Sequence, residues 1–323
     1  GVDIAVMEVS SHALEQQRVC GVPFAGASFS NLTQDHLDFH QDMESYFRAK
    51  SHLFLELPRA DKVMAINGDD PWGRRLLELC PRALSFGLQK ALPQQRHLWG
   101  ELLSAGTDGC HLRMHLDGQQ WELRSPLVGA FNASNLLSVQ ALALELGLMP
   151  DDLRHLEDFH GVCGRLERVP NARKLHVFVD YAHTPDGLEK VLLSVRDFCK
   201  GRLIAIFGCG GDRDPMKRPI MGQIGVKNAD FSIITSDNPR TEAPMAIIGD
   251  ILKGITPEMG EYTVIEDRRK AIRYAMDIGK KDDIIVLAGK GHETYQEIDG
   301  HKYHLDEREE VQSYLSELRK LHE

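Results

Sequence analysis

The chain lacks any long apolar run. No stretch approaches the roughly 18 to 20 consecutive apolar residues needed to cross a bilayer, and the mean hydropathy is −0.30, so a soluble protein with no membrane insertion is expected. It also lacks an excess of positive charge. Thirty-eight Lys and Arg stand against forty-eight Asp and Glu, a net charge of −10, which repels phosphate backbones unless a local basic groove intervenes, and no nucleic acid is expected as a partner. It lacks a CxxC pair. The six cysteines, Cys20, Cys80, Cys110, Cys163, Cys199 and Cys209, are scattered, several within apolar runs, which points to reduced thiols and a cytoplasmic address. Finally, it lacks an initiator Met, a basic n-region and a cleavage site, so the opening is no signal peptide. Residue 1 reads as lying inside a larger protein.

What is present is enough apolar material, 42% of 323 residues, for one large or two ordinary domains. Short β-branched runs alternate with longer amphipathic stretches, the pattern of parallel strands joined by helical crossovers. Strands are expected over Ile4–Val9, Ala25–Asn31, Val63–Asn67, His176–Asp180, Leu203–Gly208, Ser232–Ser236 and Ile284–Ala288. Helices are expected over Met43–Leu57, Pro71–Cys80, Asn132–Leu148, Pro185–Phe198, Pro215–Val226, Ala243–Leu252, Arg269–Ile278 and Asp306–Leu321. Between Leu98 and Leu127 short alternation with Gly109 and Gly118 as turn residues predicts antiparallel hairpins, taken as an insertion packed on the first sheet. A boundary near Val162–Arg173 divides the chain into domains 1–164 and 165–323. The fold class is α/β, a mostly parallel but incomplete first sheet followed by a doubly wound, Rossmann-like second domain.

Ligands of open parallel sheets bind at the carboxyl ends of strands, and four strands of the second half run into dense polar text: Asp180-Tyr-Ala-His183, Gly208-Cys-Gly-Gly-Asp-Arg-Asp214, Ser236-Asp-Asn-Pro-Arg240 and Gly289-Lys-Gly-His-Glu293. Ordinary turns with solvated charges would not need this density. Arg213 and Arg240 each offer a planar fork suited to a carboxylate, and two forks on neighbouring strand ends suggest a ligand with more than one carboxylate. The bland alternative pairs both with Asp212, Asp214 or Asp237. Asn238 and Glu293 are placed to receive an ammonium group, completing a pocket for a zwitterion.

The first half carries a different cluster. Glu8 closes the expected opening strand, and Asp35-His-Leu-Asp-Phe-His40 follows the strand ending in Ser30-Asn31. Carboxylate and imidazole at strand ends suit a divalent cation, Mg²⁺ rather than Zn²⁺ where oxygen dominates; the alternative is a solvated helix start with no metal. Lys50, alone within an expected helix, reads as a snorkelling surface residue. Asn132 and Asn135, three apart, can share a helix face; capping accounts for one, and two suggest recognition of a base or peptide.

Taken together, Met7-Glu-Val-Ser-Ser-His-Ala-Leu14, Asn31-Leu-Thr-Gln-Asp-His-Leu-Asp38, Gly164-Arg-Leu-Glu167, Val179-Asp-Tyr-Ala-His-Thr-Pro185, the Gly208–Asp214 loop, Asp237-Asn-Pro-Arg240 and Gly289-Lys-Gly-His-Glu293 resemble the Mur ligase family over essentially the whole chain. Their order and spacing resemble the branch that adds the third residue of the peptidoglycan stem. The resemblance implies an ATP-dependent amide ligation through an acyl phosphate, with UDP-N-acetylmuramoyl-L-alanyl-D-glutamate, meso-diaminopimelate and ATP as the partners and Mg²⁺ as the cofactor. It implies that Glu8 and His36 hold Mg²⁺ together with Lys50, carbamylated and thus turned from amine to anion. It further implies that Asn132, Asn135, Arg165 and Asp180 lie around ATP, with His183 a weaker candidate behind them. Ser10, Gln16 and Arg18 would hold the UDP-linked dipeptide, and Arg213, Asp237, Asn238, Arg240, Gly289 and Glu293 the incoming amino acid. Asp-Asn-Pro-Arg resembles the form selecting meso-diaminopimelate over lysine; the physics agrees, because Arg240 can bind the distal carboxylate that lysine lacks.

One departure from the family is large. Neither a GxxGK[ST] phosphate loop nor a uridine-binding domain is in this sequence, and both are expected upstream of residue 1, which leaves most of a central ATPase domain and a whole C-terminal domain. Two readings compete with a diaminopimelate ligase: a fragment that binds a diamino acid without turnover, and a ligase of the same superfamily, such as a folylpolyglutamate-synthase-like enzyme, with another amino-acid substrate. A His/carboxylate metallohydrolase is a third and would need bound zinc.

Overall fold

The computed structural model describes residues 1–33, 37–56, 62–90 and 95–322. The chain divides into two compact units, residues 1–105 with 109–159, and residues 160–323 with 106–108.

In the first unit the elements run α1 (Ser11–Glu15), β1 (Gly26–Phe29), α2 (Leu37–His40), α3 (Met43–Leu55), β2 (Val63–Asn67), α4 (Pro71–Leu79), β3 (Leu84–Gly87), β4 (His97–Gly106), β5 (Gly109–Leu116), β6 (Gln119–Ser125) and α5 (Ala130–Glu145). The six strands form one sheet in sequence order. β1 to β4 pair in parallel, and β5 with β6 antiparallel from Cys110↔Ser125 to Leu116↔Gln119. The period of two along a strand sends adjacent residues to opposite faces, and β2 shows the division. Ala65 packs with Leu84, Leu98 and Met114 against Leu136 and Leu137 of α5. Its neighbour Ile66 packs on the other face with Phe47, Phe54, Leu76 and Leu77 of α3 and α4. Each of the larger buried side chains, the Leu, Ile, Met and Phe, is worth about 1.5–3 kcal/mol relative to exposure.

Two expectations need correction here. The hairpin strands do not pack on the first sheet; they continue it in its own plane, β4 pairing with β3 at Ser85↔His97. Ile4–Val9 is not a strand. A strand needs a ladder partner, none of the sheets among the described residues supplies one, and Ile4 and Val6 stand 74% and 93% exposed.

In the second unit the order is β7 (Glu167–Arg168), β8 (His176–Asp180), α6 (Pro185–Arg196), β9 (Leu203–Phe207), α7 (Lys217–Asn228), β10 (Phe231–Ile234), α8 (Pro244–Leu252), β11 (Tyr262–Val264), α9 (Arg268–Ile278), β12 (Ile284–Ala288), β13 (Tyr295–Ile298), β14 (His301–His304) and α10 (Glu307–His322). The strands lie in the order β11-β10-β9-β12-β8-β7, all parallel except β7, and β13 and β14 form a separate antiparallel hairpin. Helices cover both faces, which is why β8, β9 and β12 read as continuous apolar runs. Val177, Val179, Ile204, Ile206, Ile285 and Leu287 pack on Ala271, Ile272 and Met276 of α9 and Val311 of α10. On the opposite face the Phe207 ring lies so close to Gly225 of α7 that a Cβ there would sit 2.2 Å from it. No helix among the described residues is long and apolar enough to cross a membrane.

Candidate functional site

At the carboxyl ends of β8, β9, β10 and β12 the loops of the second unit enclose a cleft of about 230 Å³. Arg213, Asp237, Asn238, Arg240, Gly289 and Glu293, scattered over eighty residues of sequence, all line it, beside Tyr181, His183, Thr184, Gly210 and Lys217. The position follows from topology: β12 lies between β8 and β9, and the strand order reverses there, opening a crevice above the sheet.

One wall of the cleft is a buried charge network around Lys290, a residue that its place in the sequence does not mark for the pocket. Its ammonium, fully buried, lies 3.4 Å from Asp237 Oδ1, 3.0 Å from Asn238 Oδ1 and 3.2 Å from Glu293 Oε2. Asn238 Nδ2 donates to the same Glu293 oxygen at 2.8 Å, and Asn238 Oδ1 also accepts the Glu297 N–H at 2.9 Å. Asn238, expected to receive a ligand's ammonium, thus receives that of Lys290 and acts as a strut. Glu293 Oε1 is left with no hydrogen-bond donor among the described residues, and Gly289, at φ +122°, lets the backbone pass Asp237 where a Cβ would sit 2.8 Å from Oδ2.

Behind this wall Arg268, also fully buried, donates through Nε to Glu307 Oε1 and through Nη2 to Ala288 O, both at 2.8 Å. Burial works against ionisation of Asp237, but the Lys290 and Arg268 charges outweigh it and hold the carboxyl below its ordinary value. For Glu307 the balance is reversed, and burial pushes the carboxyl up. Neither Lys290 nor Arg268 was readable as a site residue; the one signal was a lysine within a glycine turn directly after an apolar strand.

The basic side of the cleft is Arg240 and Arg213. Neither forms an ion pair with the local acids that the bland alternative offered. Asp212 accepts from Thr241 Oγ1 at 2.7 Å, and Asp214 accepts the Met216 N–H at 2.9 Å. Arg240 instead donates from Nη1 to Gly211 O at 2.7 Å and pairs through Nε with Glu297 Oε2 at 3.2 Å. Gly210 has no side chain to obstruct that reach, since a Cβ there would sit 2.9 Å from Nη1. Arg213 is exposed and donates from Nη1 to the Asp212 carbonyl at 3.0 Å. The cleft therefore sets guanidinium groups against carboxylates, the complement of a zwitterion.

Asp180 closes β8. Its two oxygens accept the Leu166 N–H at 2.7 Å and the Ala182 N–H at 2.8 Å. Burial pushes its carboxyl up, against those two bonds and the Arg165 charge. Arg165 is exposed and lies over the Tyr181 ring, 5.5 Å from its centroid.

In the first unit the singled-out residues are held by local bonds, singly or in pairs. Ser10 caps α1, its hydroxyl accepting the Ala13 N–H at 3.1 Å, and the exposed Arg18 and Gln16 bond to each other. Lys50 Nζ, half-buried, donates to Val9 O at 3.1 Å, which brings the amine to the backbone next to Glu8. Glu8 is exposed, and His36 lies outside the described residues. No group of three or more His, Cys, Asp or Glu side chains among the described residues is arranged to hold a metal ion. Asn132 and Asn135 do share a face of α5, the second donating to the first at 3.2 Å, but neither caps it. The cap is Gly129 at φ +87°, and Asn132 Nδ2 donates back to Val128 O at 2.9 Å.

Comparison with known proteins gives this geometry a family. The Mur ligase middle domain matches residues 1–143, and the glutamate ligase domain of Mur ligases matches residues 164–291. A UDP-N-acetylmuramoyl-L-alanyl-D-glutamate--2,6-diaminopimelate ligase from Lawsonia intracellularis is 47% identical over 97% of this chain and 65% of its own length. One of the same name from Gloeobacter violaceus is 47% identical over 99% of this chain and 64% of its own. A solved structure of a ligase with that name matches at a TM-score of 0.70 and 34% identity, covering 96% of this chain and 64% of the other. A UDP-N-acetylmuramate-alanine ligase from Thermotoga maritima, 19% identical, covers 92% of this chain and 60% of the other at 0.58 and shares the fold. The chain spans just under two thirds of the length of these two curated relatives. With matched domains side by side along most of its length, the chain belongs to the Mur ligase family.

Proposed function

We propose that this chain serves the ATP-dependent joining of meso-diaminopimelate to UDP-N-acetylmuramoyl-L-alanyl-D-glutamate, a step of peptidoglycan synthesis and so of cell shape and division. The observation that carries the substrate assignment is the cleft in which Arg240 and Arg213 face Asp237 and Glu293. Diaminopimelate is an amino acid at both ends, whereas lysine ends in an ammonium alone. Arg240 takes the distal carboxylate, and Glu293 with Asp237 the distal ammonium. A ligand without that carboxylate leaves the part of the guanidinium not already held by Glu297 and Gly211 desolvated and without an acceptor, the condition under which a polar site discriminates most strongly.

Formation of an acyl phosphate on the D-glutamate carboxylate and attack by the amine both require the groups to be held in line. In this reading Arg165, Asp180, Asn132 and Asn135 orient ATP, with Asp180 acting through the backbone it holds. Ser10, Gln16 and Arg18 bind the UDP-linked dipeptide, Ser10 by exchanging its helix-cap bond. Glu8, His36 and a carbamylated Lys50 would hold Mg²⁺, a hard-oxygen and imidazole donor set that suits it; the contact of Lys50 with the backbone beside Glu8 supports that grouping. When bound, Mg²⁺ supplies neutralisation of phosphoryl charge. A cytoplasmic address goes with this reading, supported by six free thiols.

The test is calorimetric titration of the chain with meso-diaminopimelate and with L-lysine. Diaminopimelate is expected to bind the more tightly, and Arg240→Ala to cost it about tenfold or more while lysine changes little. Equal losses for the two ligands would refute the assignment.

A further inference from the structure

Arg240 stands in a backbone conformation that few side chains adopt, at φ +52°. A non-glycine residue is kept there only when its surroundings over-determine it, and the surroundings in question are one hairpin. Arg240 N–H donates to Glu297 O at 3.0 Å, Asp299 N–H donates to Arg240 O at 2.7 Å, and Arg240 bridges to Ile298 in the manner of a parallel strand. Glu297 then adds its side chain, the carboxylate meeting the guanidinium on its Nε edge at 3.2 Å while Gly211 O takes Nη1 at 2.7 Å. Both groups are largely buried, with side chains 20% and 27% exposed. Held on one edge by Glu297 and on one corner by a carbonyl, the guanidinium keeps Nη2 without an acceptor among the described residues. Glu297 also reaches the acidic wall, since its N–H donates to Asn238 Oδ1 at 2.9 Å. A single residue therefore ties the basic and acidic sides of the cleft to one strand.

We propose that Glu297 on β13 is a positioning residue that sets the cleft's preference for a ligand with a distal carboxylate, by fixing the direction in which Arg240 presents its free guanidinium edge. The inference rests on the diaminopimelate reading above. Glu297 touches no ligand itself; it acts through Arg240. Removing the carboxylate frees the guanidinium to rotate, so the ligand must supply the ordering that Glu297 supplied beforehand. Lysine, which makes no use of the guanidinium, does not register the change.

The backbone bonds of residue 297 survive truncation of its side chain, so Glu297→Ala isolates the carboxylate. In calorimetric titrations of the whole chain, Glu297→Ala is expected to bind meso-diaminopimelate roughly fivefold more weakly, the worth of one partly buried charge pair, with lysine essentially unchanged. Glu297→Gln, which keeps the length and an acceptor oxygen, should recover most of the loss. Adding Glu297→Ala to Arg240→Ala should cost nothing further, as two residues acting through one contact require. Glu297→Thr repeats the measurement with a residue well suited to a strand, should the alanine chain not fold. Equal weakening for both ligands, tighter diaminopimelate binding, or additive losses in the double variant would each overturn the positioning role. If Arg240→Ala leaves the preference intact, or the unsubstituted chain binds no diaminopimelate, the underlying reading fails instead.

Discussion

The two units hold their singled-out residues in opposite ways. In the second unit Lys290, Asp237, Asn238 and Glu293 lock one another, with Arg268 and Glu307 buried behind them. In the first unit Ser10, Gln16 and Arg18 each make a single local bond at or near the surface. Groups that satisfy each other in a low-dielectric interior are fixed before a ligand arrives; groups resting on one exposed contact are set by what binds them. The second unit carries its pocket ready-made, and a substitution there is felt in stability as well as in binding.

The sharpest way to break that contrast is to remove the ammonium at its centre. Lys290→Met leaves buried Asp237 and half-buried Glu293 without the ammonium that meets both, with only Arg268 still acting on Asp237, and should cost the second unit about 3–5 kcal/mol. Arg96→Met, which removes the pairing of an exposed guanidinium with exposed Asp117 and half-buried Glu145 in the first unit, should cost about 1 kcal/mol or less. Trp72, Trp99 and Trp121 all lie in the first unit. In urea, Lys290→Met should therefore move the far-ultraviolet dichroism transition and leave the tryptophan fluorescence transition in place. A fluorescence transition that moves equally would show the two units unfolding as one.

Acid sharpens the comparison within the second unit, because two of its carboxyls are displaced in opposite senses. Asp237 sits below 3.8, so the stability it contributes is fully present above pH 3.8 and is lost as pH falls through its lower folded value. Asp180 sits above 3.8, so the folded unit takes up its proton first and gains stability as pH falls through the raised value towards 3.8. Urea midpoints of Asp237→Asn should lose the drop below pH 3.8, and those of Asp180→Asn the gain above it. An unaltered acid limb in Asp237→Asn would deny that its ionised form holds the wall together. The smallest expected effect is in the first unit: Ser10→Ala removes the cap of a five-residue helix and should cost about 0.5–1 kcal/mol, read in the tryptophan transition.

Much of the second unit was legible because its strands are short apolar runs with polar residues at their ends. Val63–Asn67 in the first unit and His176–Asp180 and Ile284–Ala288 in the second have the bounds that the sequence predicts. The same criterion failed at Ile4–Val9, since an apolar run states that a strand is possible and says nothing of whether a neighbour is there to pair with it. Leu84–Gly87, Tyr262–Val264 and the Tyr295–Ile298 hairpin went unread for the converse reason, being short or mixed in polarity and made into strands by their neighbours. In the cleft, the residues at strand ends could be read from position, whereas Lys290, Arg268 and Glu297 act by which charge they meet across the fold, a relation that the order of residues does not display.

The place of β12 has a consequence for how the molecule is made. β8 and β9 flank it in the sheet, yet β12 leaves the ribosome after α6, β9, α7, β10, α8, β11 and α9 have all emerged. Until Ile284–Ala288 is synthesised, β9, wholly apolar, and β8, apolar between His176 and Asp180, present unpaired edges to each other across a gap, the condition in which nascent chains associate wrongly. The last pieces to arrive, Lys290 and Glu297, are those that hold the cleft in shape. A nascent chain arrested before them would own most of a sheet and no cleft, so the cleft takes its shape only late in the synthesis of the second unit.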